Sequence, residues 1–190
     1  MLWSQADLVE ATAGDLLGDW GNDGITGVSI DSRSIKPNEL FVAIKGKRDG
    51  HNFINDAIKL GAKAALVDHV PLEISSNTPL VLVSCVQDAL ENLAKHRRKR
   101  SQAKLVAITG SVGKTSSKNM LKTILEFQGK THAAPASFNN YLGVPLTLAN
   151  LPMDATYAVV EIGMNKPGEI EPLAKMTSAD VVFILSLIHI

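Results

Sequence analysis

A single cysteine, Cys85, has no partner for an internal disulfide, and its apolar surroundings fit a reducing compartment. Apolar runs of 18 residues are missing, so the sequence offers no helix able to cross a bilayer. A basic stretch leading into an apolar one is also missing from the opening residues, and the expectation is a cytoplasmic protein without stable membrane insertion. Net charge is absent: 19 basic residues balance 19 acidic ones, and nothing global draws the chain to nucleic acid or an anionic surface. The local exception is Lys95-His-Arg-Arg-Lys-Arg100. It closes the helical pattern of Val86, Leu90, Leu93 and Ala94, where positive charge suits the helix dipole, and it reads as a solvated helix end and linker rather than a nucleic-acid contact. There is no nucleophile–base–acid set and no cysteine–histidine metal cluster, so covalent hydrolytic catalysis finds no support.

What is present is hydrophobic sequence in short, regularly interrupted pieces. With 190 residues, 45% of them hydrophobic, the chain can form one ordinary domain or two small ones. Ser4-Gln-Ala-Asp7 has the spacing of a capping box ahead of a first short helix. Strands are expected at 24–30, 40–44, 64–67 and 79–83, with a helix through Phe53, Ile54, Ala57 and Ile58 that Gly61 ends. A helix at 86–98 then leads to a second unit with strands at 105–109, 157–161 and 180–184, the last read as buried, and a helix at 168–176. Such alternation predicts an α/β fold: a small N-terminal α/β domain at 1–84, a helix and linker at 85–103, and an incomplete mononucleotide-binding domain with a mostly parallel sheet at 104–190.

The most informative stretch is Leu105-Val-Ala-Ile-Thr-Gly-Ser-Val-Gly-Lys-Thr115, a buried strand running into a glycine turn and then a helix. That arrangement wraps polyphosphate in backbone N–H groups. In the usual G-x-x-x-x-G-K-[ST] spacing a glycine would stand where Ile108 stands, so Gly110, Ser111, Val112 and Gly113 form a variant loop. Lys114 is then the phosphate-reaching lysine, Thr115 the hydroxyl for Mg²⁺, and Ser116 continues the helix start. The apolar strand before the loop and the periodic Met120, Leu121, Ile124 and Leu125 after it supply the required context.

Glu161 ends an apolar strand and precedes Gly163; a carboxylate there can hold Mg²⁺ opposite Thr115 or simply face water. In parallel sheets ligands gather beyond the carboxyl ends of the strands, the edge at which Gly110 and Glu161 both belong. Asn139 and Asn140, ahead of Gly143 and Pro145, can orient a phosphate, a water or a carbonyl, or can cap the helix that follows. In the first unit, Asp31, Ser32 and Arg33 cluster at a strand end, and Lys45-Gly-Lys-Arg-Asp-Gly-His51 is a donor-rich loop. Arg33 with Lys45 or Lys47 suits an anionic ligand. His51 is either a donor in that site or a turn-bound histidine.

Five stretches taken together resemble the amino-terminal and central parts of a Mur ligase, over about residues 1–184. They are Asp31-Ser-Arg33, Leu40 to Gly46 with Asp49 to Phe53, Thr109 to Thr115, Ser137 to Pro145, and Val160 to Ile170. The Glu161-Ile-Gly-Met-Asn165 run and the paired asparagines resemble the dipeptide-adding branch. The resemblance implies ATP-dependent formation of an amide in peptidoglycan precursor synthesis. ATP phosphorylates the terminal carboxylate of UDP-N-acetylmuramoyl-tripeptide, and the amine of D-alanyl-D-alanine attacks the acyl phosphate. Carried onto this chain, it implies that Lys114 neutralises phosphate, that Thr115 and Glu161 serve Mg²⁺, and that Asn139 or Asn140 orders the site. Asp31, Ser32, Arg33, Gly46 and His51 fall in the stretches associated with the nucleotide-sugar end. A full-length enzyme of this kind is expected to be a cytoplasmic monomer with a third domain. The alternatives are a relative that adds a single amino acid, a P-loop NTPase or kinase, and a non-catalytic nucleotide-binding module. Leu185-Ser-Leu-Ile-His-Ile190 carries no turn, helix or polar ending, so the expectation is a chain cut inside a domain and inactive alone.

Overall fold

A computed structural model describes residues 1–164 and 166–186. The chain forms two compact units, Met1–Leu93 and Ala94–Ile190. Helix α1 (Gln5–Thr12) starts at Ser4, whose hydroxyl accepts the Asp7 N–H while the Asp7 carboxylate takes the Ser4 N–H, the reciprocal cap that the sequence spacing predicts. Strands β1 (Asp15–Leu17), β2 (Gly27–Ser29), β3 (Glu39–Val42), β4 (Ala64–Val67) and β5 (Leu80–Leu82) form the first sheet, in the order β1-β5-β4-β3-β2. All its neighbours are parallel except β1 on β5. A 3₁₀ turn at Gly50–Phe53 runs into α2 (Ile54–Lys59), and Gly61, at φ +105, takes the left-handed conformation that ends it. Phe41, Ile54, Ala57, Ala65 and Leu80 fill the core on the α2 side of the sheet.

Helix α3 (Val86–Arg100) leads into the second unit. There β6 (Lys104–Thr109), α4 (Lys114–Glu126), β7 (Thr131–Ala133), α5 (Gly143–Ala149), β8 (Tyr157–Glu161), α6 (Ile170–Thr177) and β9 (Val181–Ile184) follow one another. The sheet order is β7-β8-β6-β9, parallel throughout. Leu105, Ala107, Val144, Leu148, Ala158 and Val160 centre its core.

Two expectations change in the structure. The basic run at the end of α3 is not wholly solvated: Arg97 is buried, and Arg98 donates to the carbonyls of Ala103, Thr177 and Ser178 and to Asp180. Those carbonyls belong to the end of α6 and a connecting turn, where backbone acceptors lack helical partners. Second, β9 forms as expected but is not buried; it pairs with β6 at the sheet edge, and Val181, Val182, Phe183 and Ile184 are all exposed. The helix expected after the glycine loop forms as α4, with Met120 and Ile124 exposed and Lys118 buried. Asn165 of the glutamate stretch and Leu187–Ile190 of the unusual ending lie outside the described residues.

Candidate functional site

In the second unit, β6 delivers Thr109 to the sheet's carboxyl edge and the chain turns through Gly110 (φ +144) and Gly113 (φ +89). Both conformations are strained for side-chain-bearing residues. A Cβ on Gly110 would also lie 2.7 Å from the Cβ of Leu185. Gly113 caps α4 with no side-chain bond, leaving the positive end of the helix dipole without a side-chain acceptor at its cap. The loop is not an empty cradle, because the Ser111 N–H donates to the Ser186 carbonyl. Val112 and Ser116 are exposed. Lys114 folds back over the loop, its Nζ donating to Gly110 O at 2.6 Å and reaching Ser111 O at 3.5 Å.

One turn of chemistry lies beneath Lys114. The Thr115 hydroxyl stands 3.2 Å from Glu161 Oε2 and 2.9 Å from the Ser137 hydroxyl. A hydroxyl has one proton, so donation to Glu161 makes Ser137 the donor to Thr115. Glu161 does not face water: its side chain is 1% exposed, and the Lys118 ammonium lies 3.2 Å from Oε1. Yet Oε1 has no hydrogen-bond partner among the described residues, because Lys118 directs protons to the carbonyls of Ala134 at 2.8 Å and Ala136 at 3.0 Å. An orphaned buried carboxylate oxygen beside a hydroxyl is a donor set of the type Mg²⁺ takes.

The two asparagines separate. Asn140 is exposed, and its Oδ1 accepts the N–H groups of Leu142 and Gly143, capping the start of α5. Asn139 is half-buried against β8's outlet: its carbonyl takes the Gly163 N–H at 2.7 Å, and a Cβ on Gly163 would meet its side-chain amide at 3.0 Å. Gly143 is required for a similar reason, since its Cβ would lie 2.5 Å from the Phe138 backbone. The 134–139 segment is therefore pinned to α4 and to β8 at once.

The first unit has its own carboxyl edge, where the loops after β2, β3 and β4 emerge side by side. Arg33 is exposed and clasps Asp31 with two guanidinium bonds, of 2.9 and 2.7 Å, while its N–H adds a third. Hydrogen bonds from the Arg33 side chain and then its backbone N–H hold the Asp31 carboxyl well below the usual range, at about 2. Ser32 is half-buried beside them. Gly46 is exposed, and a Cβ there would meet nothing nearer than Arg48 O at 3.9 Å, so the fold itself does not demand a glycine.

His51 lies behind this surface, with 2% of its side chain exposed. Its Nε2 accepts the Asp68 N–H at 3.3 Å, which leaves Nδ1 as the donor to Asp49 at 2.7 Å. His69 stacks on its ring, with centroids 4.1 Å apart, and bonds Asp68. Lys45 Nζ also reaches Asp68, at 3.0 Å. The Asp49 carboxyl is lowered first by the His51 N–H; that of Asp68 is lowered despite burial, by bonds from His69 and Lys45. Residues 45–51 and 68–69 are thus locked together through a buried ring. The sequence did not single out Asp68, His69 or Lys118, which the structure places against the candidate residues His51 and Glu161. The available signal for Lys118 was its place four residues after Lys114, on the same helix face.

Comparison with known proteins decides the lineage. Residues 24–102 match the Mur ligase family catalytic domain and residues 108–189 match the Mur ligase middle domain. The chain belongs to the Mur ligase family. This Mur ligase is 41% identical over 157 residues to the UDP-N-acetylmuramoyl-tripeptide–D-alanyl-D-alanine ligase of Rickettsia prowazekii, covering 83% of the chain and 35% of that relative. It is 40% identical over 161 residues to the enzyme of the same name from Escherichia coli, covering 84% of the chain and 35% of the relative. Among solved structures, the UDP-N-acetylmuramoylalanyl-D-glutamyl-2,6-diaminopimelate–D-alanyl-D-alanyl ligase from Acinetobacter baumannii superposes with a TM-score of 0.82 at 33% identity, over 96% of this chain and 41% of that one. The MurF ligase from Thermotoga maritima in complex with ADP superposes at 0.68 and 30% identity, over 84% and 37%. The chain therefore spans little more than a third of the length of these relatives. Among the described residues no helix is long and apolar enough to cross a membrane.

Proposed function

We propose that this Mur ligase chain carries the nucleotide-sugar-binding and ATP-binding parts of an enzyme that joins D-alanyl-D-alanine to UDP-N-acetylmuramoyl-tripeptide in the cytoplasm. Residues 1–84 would bind the UDP-sugar peptide and residues 104–190 ATP, with 85–103 as helix and linker. The observation that supports this most is the convergence of Thr115, Ser137 and Glu161 beneath a glycine loop and a lysine, at the strand edge where α/β sheets hold nucleotides. Similarity to dipeptide-adding relatives favours this substrate over a single amino acid.

Lys114, released from Gly110 O, would neutralise the transferred phosphoryl group. Thr115 and Glu161 are the residues that would hold Mg²⁺, which would offset charge on the phosphates. Backbone N–H groups at the start of α4 and in the loop would orient the polyphosphate, and Asn139, fixed on Gly163, would order the far side of the pocket. Phosphoryl transfer to the peptide carboxylate makes an acyl phosphate. The incoming amine then forms the amide and releases phosphate. In the first unit, Arg33, preset by Asp31, and the open approach over Gly46 suit a diphosphate. His51, out of reach of a ligand, would position the loop rather than touch substrate. The test is Lys114→Ala in an enzyme of the relatives' full length: ATP turnover should vanish while the circular dichroism spectrum stays unchanged. Unaltered turnover would sink the assignment.

A further inference from the structure

Lys118 has no place in the roles assigned so far, yet it is the residue α4 buries. A lysine with 1% of its side chain exposed is costly unless paired, and here it is paired with an equally buried Glu161 at 3.2 Å. The pairing is electrostatic rather than hydrogen-bonded. Lys118 donates to Ala134 O and Ala136 O, and Glu161 Oε1 keeps a free acceptor direction among the described residues. Glu161 is therefore neutralised but not saturated. Its other oxygen already takes the Thr115 hydroxyl.

We propose that Lys118 is the resident counter-cation of Glu161, a positioning residue that prevents a divalent cation from settling between Thr115 and Glu161 until nucleotide phosphates arrive with it. The inference rests on the nucleotide-site reading above. A cation approaching Glu161 alone meets a buried ammonium already beside the carboxylate, in a medium where like charges repel far more strongly than in water. Bound phosphates add the negative charge that makes a second cation favourable. Cation and nucleotide thus become strongly coupled ligands, each raising the affinity of the other by the same factor. The same ammonium ties the segment leading to Ser137 and Asn139 to α4, so the charge that couples cation to nucleotide also fixes the loop that carries Ser137 and Asn139.

The test is Mn²⁺ binding, read by electron paramagnetic resonance, and the unfolding midpoint, each with and without a non-hydrolysable ATP analogue, in the full chain. Wild type should bind Mn²⁺ weakly without the analogue and far more tightly with it. Lys118→Met should bind it without nucleotide, about tenfold tighter than wild type or more, and its midpoint should rise on adding Mn²⁺. Lys118→Gln keeps an amide donor for the Ala134 and Ala136 carbonyls without the charge, and should show the same gain in a chain less disturbed in packing. Lys118→Met/Glu161→Gln should lose the gain. Nucleotide-free Mn²⁺ affinity in both single variants equal to that of wild type would overturn the proposal. A wild type that binds no metal–nucleotide at all would overturn the underlying site reading, and this inference with it.

Discussion

At the residue scale the site pairs its charges while leaving one buried oxygen, Glu161 Oε1, without a hydrogen-bond partner among the described residues. That Lys114, Thr115 and Glu161 share one strand edge could be read from sequence, because a glycine turn between a strand and a helix and a carboxylate ending a parallel strand both lie at its carboxyl end. Lys118 could not, since lysines are rarely buried and nothing in a helical pattern announces one that is. His51 was visible, but not its burial, because the ring's partners Asp49 and Asp68 meet only when the loops after β3 and β4 fold side by side. If Glu161 serves Mg²⁺, Glu161→Gln weakens Mg²⁺-dependent ATP binding more than metal-free binding, as calorimetry with and without magnesium would show. An equal loss in both conditions would reduce it to a partner of Lys118. Arg33→Ala should raise the dissociation constant for UDP-N-acetylmuramoyl-tripeptide roughly tenfold through loss of a charge-assisted bond. Indistinguishable titrations would move that site elsewhere.

At the scale of elements, strands lying in longer apolar or alternating stretches were legible and two others were not. Strands β1 (Asp15-Leu-Leu17) and β7 (Thr131-His-Ala133) sit in no such stretch, and β1 also pairs antiparallel with β5. The period of Met120, Leu121, Ile124 and Leu125 located α4, although Met120 and Ile124 lie exposed. Arg98 shows how an element end that looks solvated in sequence is put to use. Its guanidinium satisfies carbonyls at the C-terminus of α6, where Ser178 adopts φ +42 without glycine's freedom. Arg98→Ala should cost about 2–3 kcal/mol in denaturant unfolding, the scale for charged hydrogen bonds to half-buried acceptors. A change indistinguishable from zero would return the basic run to the solvent.

At the scale of the whole molecule, acid should weaken the fold in two stages. Burial holds His132 below its ordinary value of 6.5, outweighing the opposing bond from Nε2 to Thr147 O. The unfolded chain therefore takes up a proton that the folded chain refuses, and stability present above pH 6.5 is lost as pH falls to the lowered value. A second loss follows below pH 3.8, from carboxyls held low in the folded state. Among them are Asp180, lowered first by the Leu105 N–H, and Asp31, at about 2 but too exposed to weigh much. Urea midpoints measured against pH should show both stages, and His132→Gln should remove the first; a midpoint flat between pH 7 and 5 would refute it. Two α/β units and the parallel direction of the second sheet were legible because strand–helix alternation dictates them, whereas the edge position of β9 depends on strand order, which no local pattern encodes. The most direct measurement is mass spectrometry of UDP-N-acetylmuramoyl-tripeptide incubated with D-alanyl-D-alanine, ATP and Mg²⁺ and an enzyme of the relatives' full length carrying these residues. The account predicts the pentapeptide product together with equimolar ADP and phosphate. ATP consumption without an amide product would contradict it.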